Sequence, residues 1–252
     1  MAGFFIRPIV GAALASVLTV APLAAHAVPN YDYAINFSGG TGLYAGAGLT
    51  CFDNAVCDLN PMLNAMAIVS GFGMPALPGF DSSIETSITN SPGGPAVSIL
   101  NLTWNLDATS GAGGSIVITA GARGFTFPAT GLLATQVSSI GGTTTAASAT
   151  GQQWVNLSNV LFGEGPITPG VHGPFSSTPL TSFNHTASTQ FWSVIPFSIT
   201  DQVSFTLAAG GRTNGSIQSM VYVPEPGSLM LLGAGMLGFA AFARRRSKQV
   251  TR

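Results

Sequence analysis

The sequence contains very few charged residues. Only 7% of its 252 residues are Asp, Glu, Lys or Arg, against about a quarter in ordinary soluble domains. Solubility must therefore depend on Ser, Thr, Asn and Gln. Between residues 28 and 222 two arginines, Arg123 and Arg212, stand against eight carboxylates. Nucleic-acid binding needs a basic surface, so we expect no nucleic-acid partner.

Histidine and the usual catalytic motifs are also scarce. His172 and His185 are the only histidines after residue 27, and we predict that both lie in surface loops. The region between the two chain ends has no G-x-S-x-G, no H-E-x-x-H and no phosphate-binding loop. Two cysteines and two isolated histidines do not form a recognisable zinc pattern. We therefore expect neither an enzyme nor a bound cofactor.

The two cysteines, Cys51 and Cys57, enclose five residues. In an exported protein this spacing favours a small-loop disulfide over two free thiols. Asp53 and Asp58 in and beside the loop carry oxygen ligands of the kind that calcium prefers. No EF-hand spacing accompanies them, so we favour the alternative, in which both are turn-forming Asx residues.

The amino end has the three parts of a secretory signal. Arg7 gives a basic start, an uncharged apolar stretch follows, and Ala25 and Ala27 occupy the small-residue positions of a cleavage site. We predict that residues 1–27 are a signal peptide removed by signal peptidase. The alternative, an uncleaved anchor helix, is disfavoured by Pro22, which breaks a helix just before the cleavage site.

The carboxyl end contains a second uncharged apolar run, from Ser228 to Ala243. As a helix it would span about 24 Å, slightly less than the roughly 30 Å hydrocarbon core of a membrane. A basic cluster follows, and by the positive-inside rule it would stop transfer on the cytoplasmic side; it consists of Arg244, Arg245, Arg246 and Lys248. We predict one transmembrane helix here, because a buried core helix would not end in three arginines.

Pro224, Glu225 and Pro226 directly precede this apolar run. The order of Pro-Glu-Pro, apolar helix and Arg-rich tail over residues 223–248 resembles the sorting signal of the PEP-CTERM family. The resemblance implies processing by an exosortase, an integral-membrane cysteine protease of Gram-negative bacteria, and an association with exopolysaccharide. The prolines hold an extended backbone that a protease can bind as a strand. The alternative is a plain rigid linker.

Residues 28–222 have the pattern of a β protein. In the stretch ILNLTWNLD, residues 99–107, apolar and polar side chains alternate, as in a strand with one buried face. Similar segments are separated by clusters of Gly, Pro, Asn and Ser; they are YDYAINF, NAMAIVSGF, SIVITA, QWVNLSNVLF, QFWSVIPFSIT and QVSFTLAA. We predict one all-β domain, an antiparallel β-sandwich or jelly roll.

These features predict an exported, non-catalytic protein of the cell envelope or extracellular matrix, associated with exopolysaccharide or biofilm. Its precursor would be anchored in the inner membrane before the mature protein reaches the cell surface or matrix. One alternative is a carbohydrate-binding or adhesive module using exposed aromatic residues from the set Trp104, Trp154, Trp192 and Tyr44. The other is a secreted polysaccharide hydrolase, for which Asp81 and Glu85 would be the carboxylate pair.

Overall fold

The structure, a computed structural model, describes residues 30–38, 49–69, 79–80, 82–94, 96–108, 112–177, 181–224 and Met236. The named elements in these ranges are ten strands, all paired antiparallel. They are β1 (Asn30–Ser38), β2 (Leu49–Asp53), β3 (Ala65–Val69), β4 (Ser82–Thr89), β5 (Val97–Asp107), β6 (Gly114–Phe125), β7 (Leu133–Asn156), β8 (Val171–Ser177), β9 (Thr181–Trp192) and β10 (Phe197–Tyr222). The predicted all-β, antiparallel class is confirmed.

Two strands, β7 and β10, are far longer than the others and organise the fold. They contain 24 and 26 residues, several times the usual strand length of about five or six. β10 pairs with β7 along nearly its whole length. On its other edge, β10 pairs with β6 through residues 197–207 and with β5 through residues 212–222.

These pairings divide the strands into two halves that share β7 and β10. The first half has the order β2-β1-β6-β10-β7-β8 and uses residues 197–207 of β10 and 147–156 of β7. The second half has the order β3-β4-β5-β10-β7-β9 and uses residues 212–222 and 133–145. The arrangement is sandwich-like, with both halves continuous through the two long strands.

The long strands change direction where the halves meet. The register between β10 and β7 shifts between Leu207 and Arg212. Ala146 on β7 and Gly210 on β10 have φ angles of 48° and 81°, in the left-handed region that straight strands avoid. The end of β5 supports this bend, because Ala108 donates its backbone N–H to Gly211 O and accepts a hydrogen bond from Gly210 N–H.

Alternating apolar side chains from both halves fill the space between them. Leu100, Leu102, Trp104 and Leu106 of β5 are buried on one face of the strand, as the sequence predicts. The Trp104 ring packs against Phe205 of the other half, with ring centroids 5.2 Å apart. Each such side chain contributes about 1.5–3 kcal/mol on burial, and this contribution requires the two halves to face each other.

The loop after β7 covers the outer face of the first half. Ser198 Oγ donates to Val160 O at 2.7 Å, and Thr200 Oγ1 donates to Gly163 O at 3.4 Å. Phe162 packs over Gly121, where a side chain would collide with its ring. This end of the sandwich-like domain is therefore buried on both faces of the sheet.

Two of the predicted strand segments are placed differently in the structure. QWVNLSNVLF, residues 153–162, is a strand only as far as Asn156, because the rest forms the covering loop. QFWSVIPFSIT, residues 190–200, holds the end of β9 and the start of β10, separated by residues 193–196. Apolar residues in these segments pack against a sheet face without belonging to a strand.

Candidate functional site

The predicted sorting motif follows the central strand of the domain. β10 ends at Tyr222, which pairs with β5 and β7, and Pro224 is exposed two residues later. Glu225 and Pro226 lie outside the described residues, as do the basic cluster from Arg244 to Lys248 and the signal-peptide residues Ala25 and Ala27.

The predicted transmembrane helix, residues 228–243, also lies outside the described ranges except for Met236. Within those ranges no helix has the length and apolar character needed to cross a membrane.

The predicted disulfide is confirmed. Cys51, at the centre of β2, is bonded to Cys57 in the following turn, with 5.9 Å between their Cα atoms. Cys51 is fully buried in the core, and Cys57 packs against it. The bond therefore attaches an irregular loop to the edge of the first half.

Asp58 organises this disulfide loop. Its Oδ1 accepts hydrogen bonds from the backbone N–H groups of Asn60 and Ala67, both at 2.9 Å, and its Oδ2 accepts one from Asn54 N–H at 3.0 Å. Three backbone amides thus use the carboxylate oxygens. This geometry favours the Asx-turn interpretation of Asp58 over a calcium ligand.

Asp53, the other calcium candidate, is a buried carboxylate at the end of β2. Its Oδ2 accepts hydrogen bonds from Asn64 N–H at 2.9 Å and from Asn30 Nδ2 at 3.2 Å. Burial raises the pKa of Asp53, and these hydrogen bonds lower it in part. No group of three or more His, Cys, Asp or Glu side chains in the described ranges could hold a metal ion.

The three tryptophans differ in exposure. Trp104 and Trp154 are only 2% and 6% exposed, whereas Trp192 is 67% exposed at the end of β9. Leu133 pairs with Trp192 in the neighbouring strand and is also exposed. Of the tryptophans, only Trp192 is therefore available to a ligand, and Tyr44 lies outside the described residues.

Of the predicted hydrolase pair, Asp81 and Glu85, the structure describes only Glu85. Glu85 on β4 is fully buried and stands opposite Trp104 in register. Its predicted partner Asp81 lies outside the described residues. Two other carboxylates form surface ion pairs, Asp32 with Arg123 at 2.6 Å and Asp107 with Arg212 at 3.1 Å.

A groove lies beside the first of these ion pairs. It encloses about 390 Å³ and is lined partly by Asn30, Asn64 and Ser91 as well as by Asp32 and Arg123. Since Arg123 donates to Asp32 across the groove wall, the local charge there is largely compensated.

The prediction that both histidines lie in surface loops is wrong. His172 lies on β8 and is fully buried, and His185 lies on β9. The two Nδ1 atoms are 2.5 Å apart, and His172 Nε2 is 2.6 Å from Ser138 Oγ. If the Ser138 hydroxyl donates to Nε2, then His172 Nδ1–H donates to His185 Nδ1, and His172 is neutral.

This histidine pair connects the two halves at their open edge. β8 is the last strand of the first half and β9 the last strand of the second, so no backbone hydrogen bonds join them. Phe175 and Phe183 stack beside the histidines, with ring centroids 4.5 Å apart. Burial, and secondarily the neighbouring His185, lowers the pKa of His172.

A second polar cluster lies deeper between the halves, on the inner faces of β7 and β10. Asp201 is fully buried there and accepts a hydrogen bond from Ser219 Oγ at 2.5 Å. Burial raises the pKa of Asp201 to about 8, and the hydrogen bonding from Ser219 opposes this shift. Gln136 and Gln153 are buried beside it.

Neither polar cluster is predicted by the sequence analysis. Their members lie in strands rich in Ser, Thr and Gln, where the alternation of apolar and polar residues is faint. The only available signal is Asp201, the one charged residue in the strand-like stretch VIPFSITDQVSF.

The described residues form a sandwich-like β domain. In the sequence, its central strand β10 is followed by the Pro-Glu-Pro segment. Residues 223–246 match the family model described as the PEP-CTERM protein-sorting motif. The chain therefore carries this motif, as its sequence resemblance predicted. The motif implies an exported, membrane-anchored precursor that is processed by an exosortase.

The remaining comparisons add little. No curated protein matches the chain. A solved structure described as TmCBM61 in complex with beta-1,4-galactotriose matches 54% of this chain and 86% of its own, with 10% identity and a TM-score of 0.23. A TM-score this low supports no conclusion about fold or ligand.

Proposed function

We propose that this protein is a non-catalytic component of the envelope or extracellular matrix of a Gram-negative bacterium. An exosortase would process its membrane-anchored precursor, and the mature β domain would associate with exopolysaccharide. The observation that carries the proposal is the sorting motif at residues 223–246, which begins one residue after β10 ends.

Properties of the domain support this role. The disulfide suits an oxidising compartment outside the cytoplasm. The outer face of the second half carries mainly uncharged polar side chains, such as Asn101 and Thr103 on β5 and Asn214 on β10. Such a surface is hydrated without strong charge, as is appropriate for a protein embedded in polysaccharide.

Replacing Glu225 with Ala tests the sorting role. The change removes the carboxylate of the recognised segment and leaves the apolar run and basic cluster intact, so uncleaved precursor should accumulate in the membrane fraction. Intact-mass analysis and cell fractionation measure this. Glu164→Ala is the matched control, because Glu164 is an exposed carboxylate in the β domain. If Glu225→Ala gives the wild-type mature mass and extracellular fraction, the sorting role is wrong.

The matrix role has a separate test. Mature protein should sediment with exopolysaccharide and be released when that polymer is digested enzymatically. Protein that is freely soluble before digestion would contradict the matrix role without affecting the sorting role.

Exposure of Trp192 favours carbohydrate binding as a second candidate function. An exposed indole offers a flat apolar face to a sugar ring, and Gln190 on the same side of β9 can supply hydrogen bonds. Leu133 and Val194 extend the exposed apolar surface around it. The binding surface would then lie on the outer side of an edge strand.

Affinity electrophoresis in gels containing the producing organism's exopolysaccharide tests this function. Trp192→Ala should lose most of the retardation, because the change removes the large apolar face on which a sugar ring would pack. Tyr31→Ala is the control, since Tyr31 is 58% exposed on β1. Equal retardation of wild type and Trp192→Ala would exclude this role for Trp192.

A further inference from the structure

Four fully buried polar side chains meet between the two halves of the domain. Each long strand supplies one residue from each half: Asp201 and Ser219 from β10, and Gln153 and Gln136 from β7. Asp201 and Gln153 are direct partners in register, so their Cβ atoms lie about 4.5–5.5 Å apart. The cluster therefore belongs to the interior of the domain and is formed by its two central strands.

The donor groups of this cluster all make hydrogen bonds within the described residues, but three of its acceptor oxygens do not. Ser219 Oγ donates to Asp201 Oδ1 at 2.5 Å, and Gln136 Nε2 donates to Ser219 Oγ at 3.5 Å. Gln153 Nε2 donates to Gln218 O at 2.9 Å. Asp201 Oδ2, Gln136 Oε1 and Gln153 Oε1 are buried and accept no hydrogen bond from the described part of the protein.

Three unsatisfied buried oxygens destabilise the folded protein. An unsatisfied buried acceptor costs about 1–3 kcal/mol, and more when it is charged. The two arginines in the described ranges cannot compensate, because Arg123 and Arg212 pair with Asp32 and Asp107 at the surface. The cluster offers acceptor oxygens, and a negative charge when Asp201 is ionised, both of which a positive ion would satisfy.

We propose that Asp201, Gln136 and Gln153 bind a monovalent metal cation, Na⁺ or K⁺, between the two halves. Carboxylate and amide oxygens are the ligands that hard cations prefer. With Asp201 ionised the set carries one negative charge, so a monovalent ion that replaces the carboxyl proton leaves the site neutral. A divalent ion would leave one uncompensated buried charge, whose desolvation costs several kcal/mol.

A row of polar side chains leads from this site toward the edge of the domain. Ser138 follows Gln136 two residues along the same face of β7. It contacts His172, whose partner His185 lies at the open edge between β8 and β9. A buried metal site requires an entry path, and this row of hydrogen-bonding groups is where we expect it.

Thermal unfolding in chloride salts of equal ionic strength tests the site. The salts are those of Na⁺, K⁺, Ca²⁺ and choline, used above the Asp201 pKa of about 8 so that protons compete little. At about ten times the dissociation constant, Na⁺ or K⁺ should raise the unfolding midpoint of the full chain by roughly 3–6 °C relative to choline. Asp201→Asn should lose this response.

Asp53→Asn is the matched control, because Asp53 is also buried with one unpartnered oxygen, and it should keep the response. If Asp53→Asn loses the response and Asp201→Asn keeps it, the cation binds at the disulfide loop and the proposal is overturned. Equal midpoints in all four salts, or a rise with Ca²⁺ alone, would also overturn it.

Should Asp201→Asn fail to fold, crystals of the wild-type protein soaked in Rb⁺ decide the question. An anomalous peak beside Asp201 and Gln153 supports the site, and its absence contradicts it.

Discussion

His172 is a histidine whose surroundings disfavour its charged form. Burial and the neighbouring His185 lower its pKa from the usual value of 6.5. Below pH 6.5 the unfolded chain therefore binds a proton that the folded chain does not. The stability contributed by the neutral ring is complete above pH 6.5 and is lost as the pH falls toward the lowered pKa.

We predict that wild-type protein loses more stability than His172→Gln as the pH is lowered from 6.5. Urea unfolding of both proteins across this range measures the difference. Asp53 and Asp201 have raised pKa values and so act in the opposite direction, which is why the comparison with the variant is needed. Parallel pH profiles for the two proteins would show that His172 does not titrate abnormally.

At the scale of elements, the contact between β7 and β10 depends on small residues. Gly142 and Gly215 are partners in register, and Trp104 packs directly against Gly215. A Cβ atom on Gly142 would overlap the carbonyl oxygen of Asn214, which belongs to the backbone and cannot move alone. Glycine at position 142 therefore permits the close approach of the two long strands.

Neighbouring glycines provide a matched test of this contact. Gly142→Ala should destabilise the protein by about 1–3 kcal/mol, the cost of overpacking that shifts backbone. Gly141→Ala should be neutral or slightly stabilising, because its nearest heavy atom, Phe183 O, is 3.5 Å from the added carbon and alanine restricts the unfolded chain. Denaturant unfolding of both variants gives the comparison, and equal losses would contradict the explanation.

At the scale of the whole molecule, the strands lie between the two predicted export signals. The ten named strands begin at Asn30 and end at Tyr222, immediately after the predicted signal peptide and before the sorting motif. Each of these strands pairs with at least one other named strand, and the disulfide lies within the same range. Within the described residues, the strands and the disulfide therefore form one domain whose sequence lies between the two predicted signals.

We predict that a fragment of residues 28–224, produced in an oxidising compartment, folds without either end. It should unfold in one cooperative transition, because both halves share β7 and β10 and cannot separate. Calorimetry measures the transition, and equal calorimetric and van't Hoff enthalpies would confirm it. Two transitions, or an aggregated product with the Cys51–Cys57 bond intact, would contradict it.

Several features follow from the sequence because their physical cause is local. The alternation from Leu100 to Leu106 predicts a half-buried strand, since successive side chains of a strand point to opposite faces. The spacing of Cys51 and Cys57 predicts their disulfide, and the order of Pro-Glu-Pro, apolar run and basic cluster predicts the sorting motif. Each depends on one continuous segment of the chain.

The polar strands β7 and β9 cannot be predicted from local alternation of apolar and polar residues. β9 reads TSFNHTASTQFW and much of β7 reads SSIGGTTTAASATG. Ser, Thr, Ala and Gly on both faces give little alternation, so the sequence does not show which side is inward. Pairing of β7 with β10 and of β9 with β7 determines that these residues form strands, and this information lies far away in the chain.

The sequence by itself determined the all-β class, the disulfide and the sorting motif. Only the tertiary structure decided which polar residues meet. His172 and His185 lie on edge strands of opposite halves, and Gln136 and Ser219 are 83 residues apart. Two long bent strands bring them together, because the apolar faces of both halves must cover each other to exclude water.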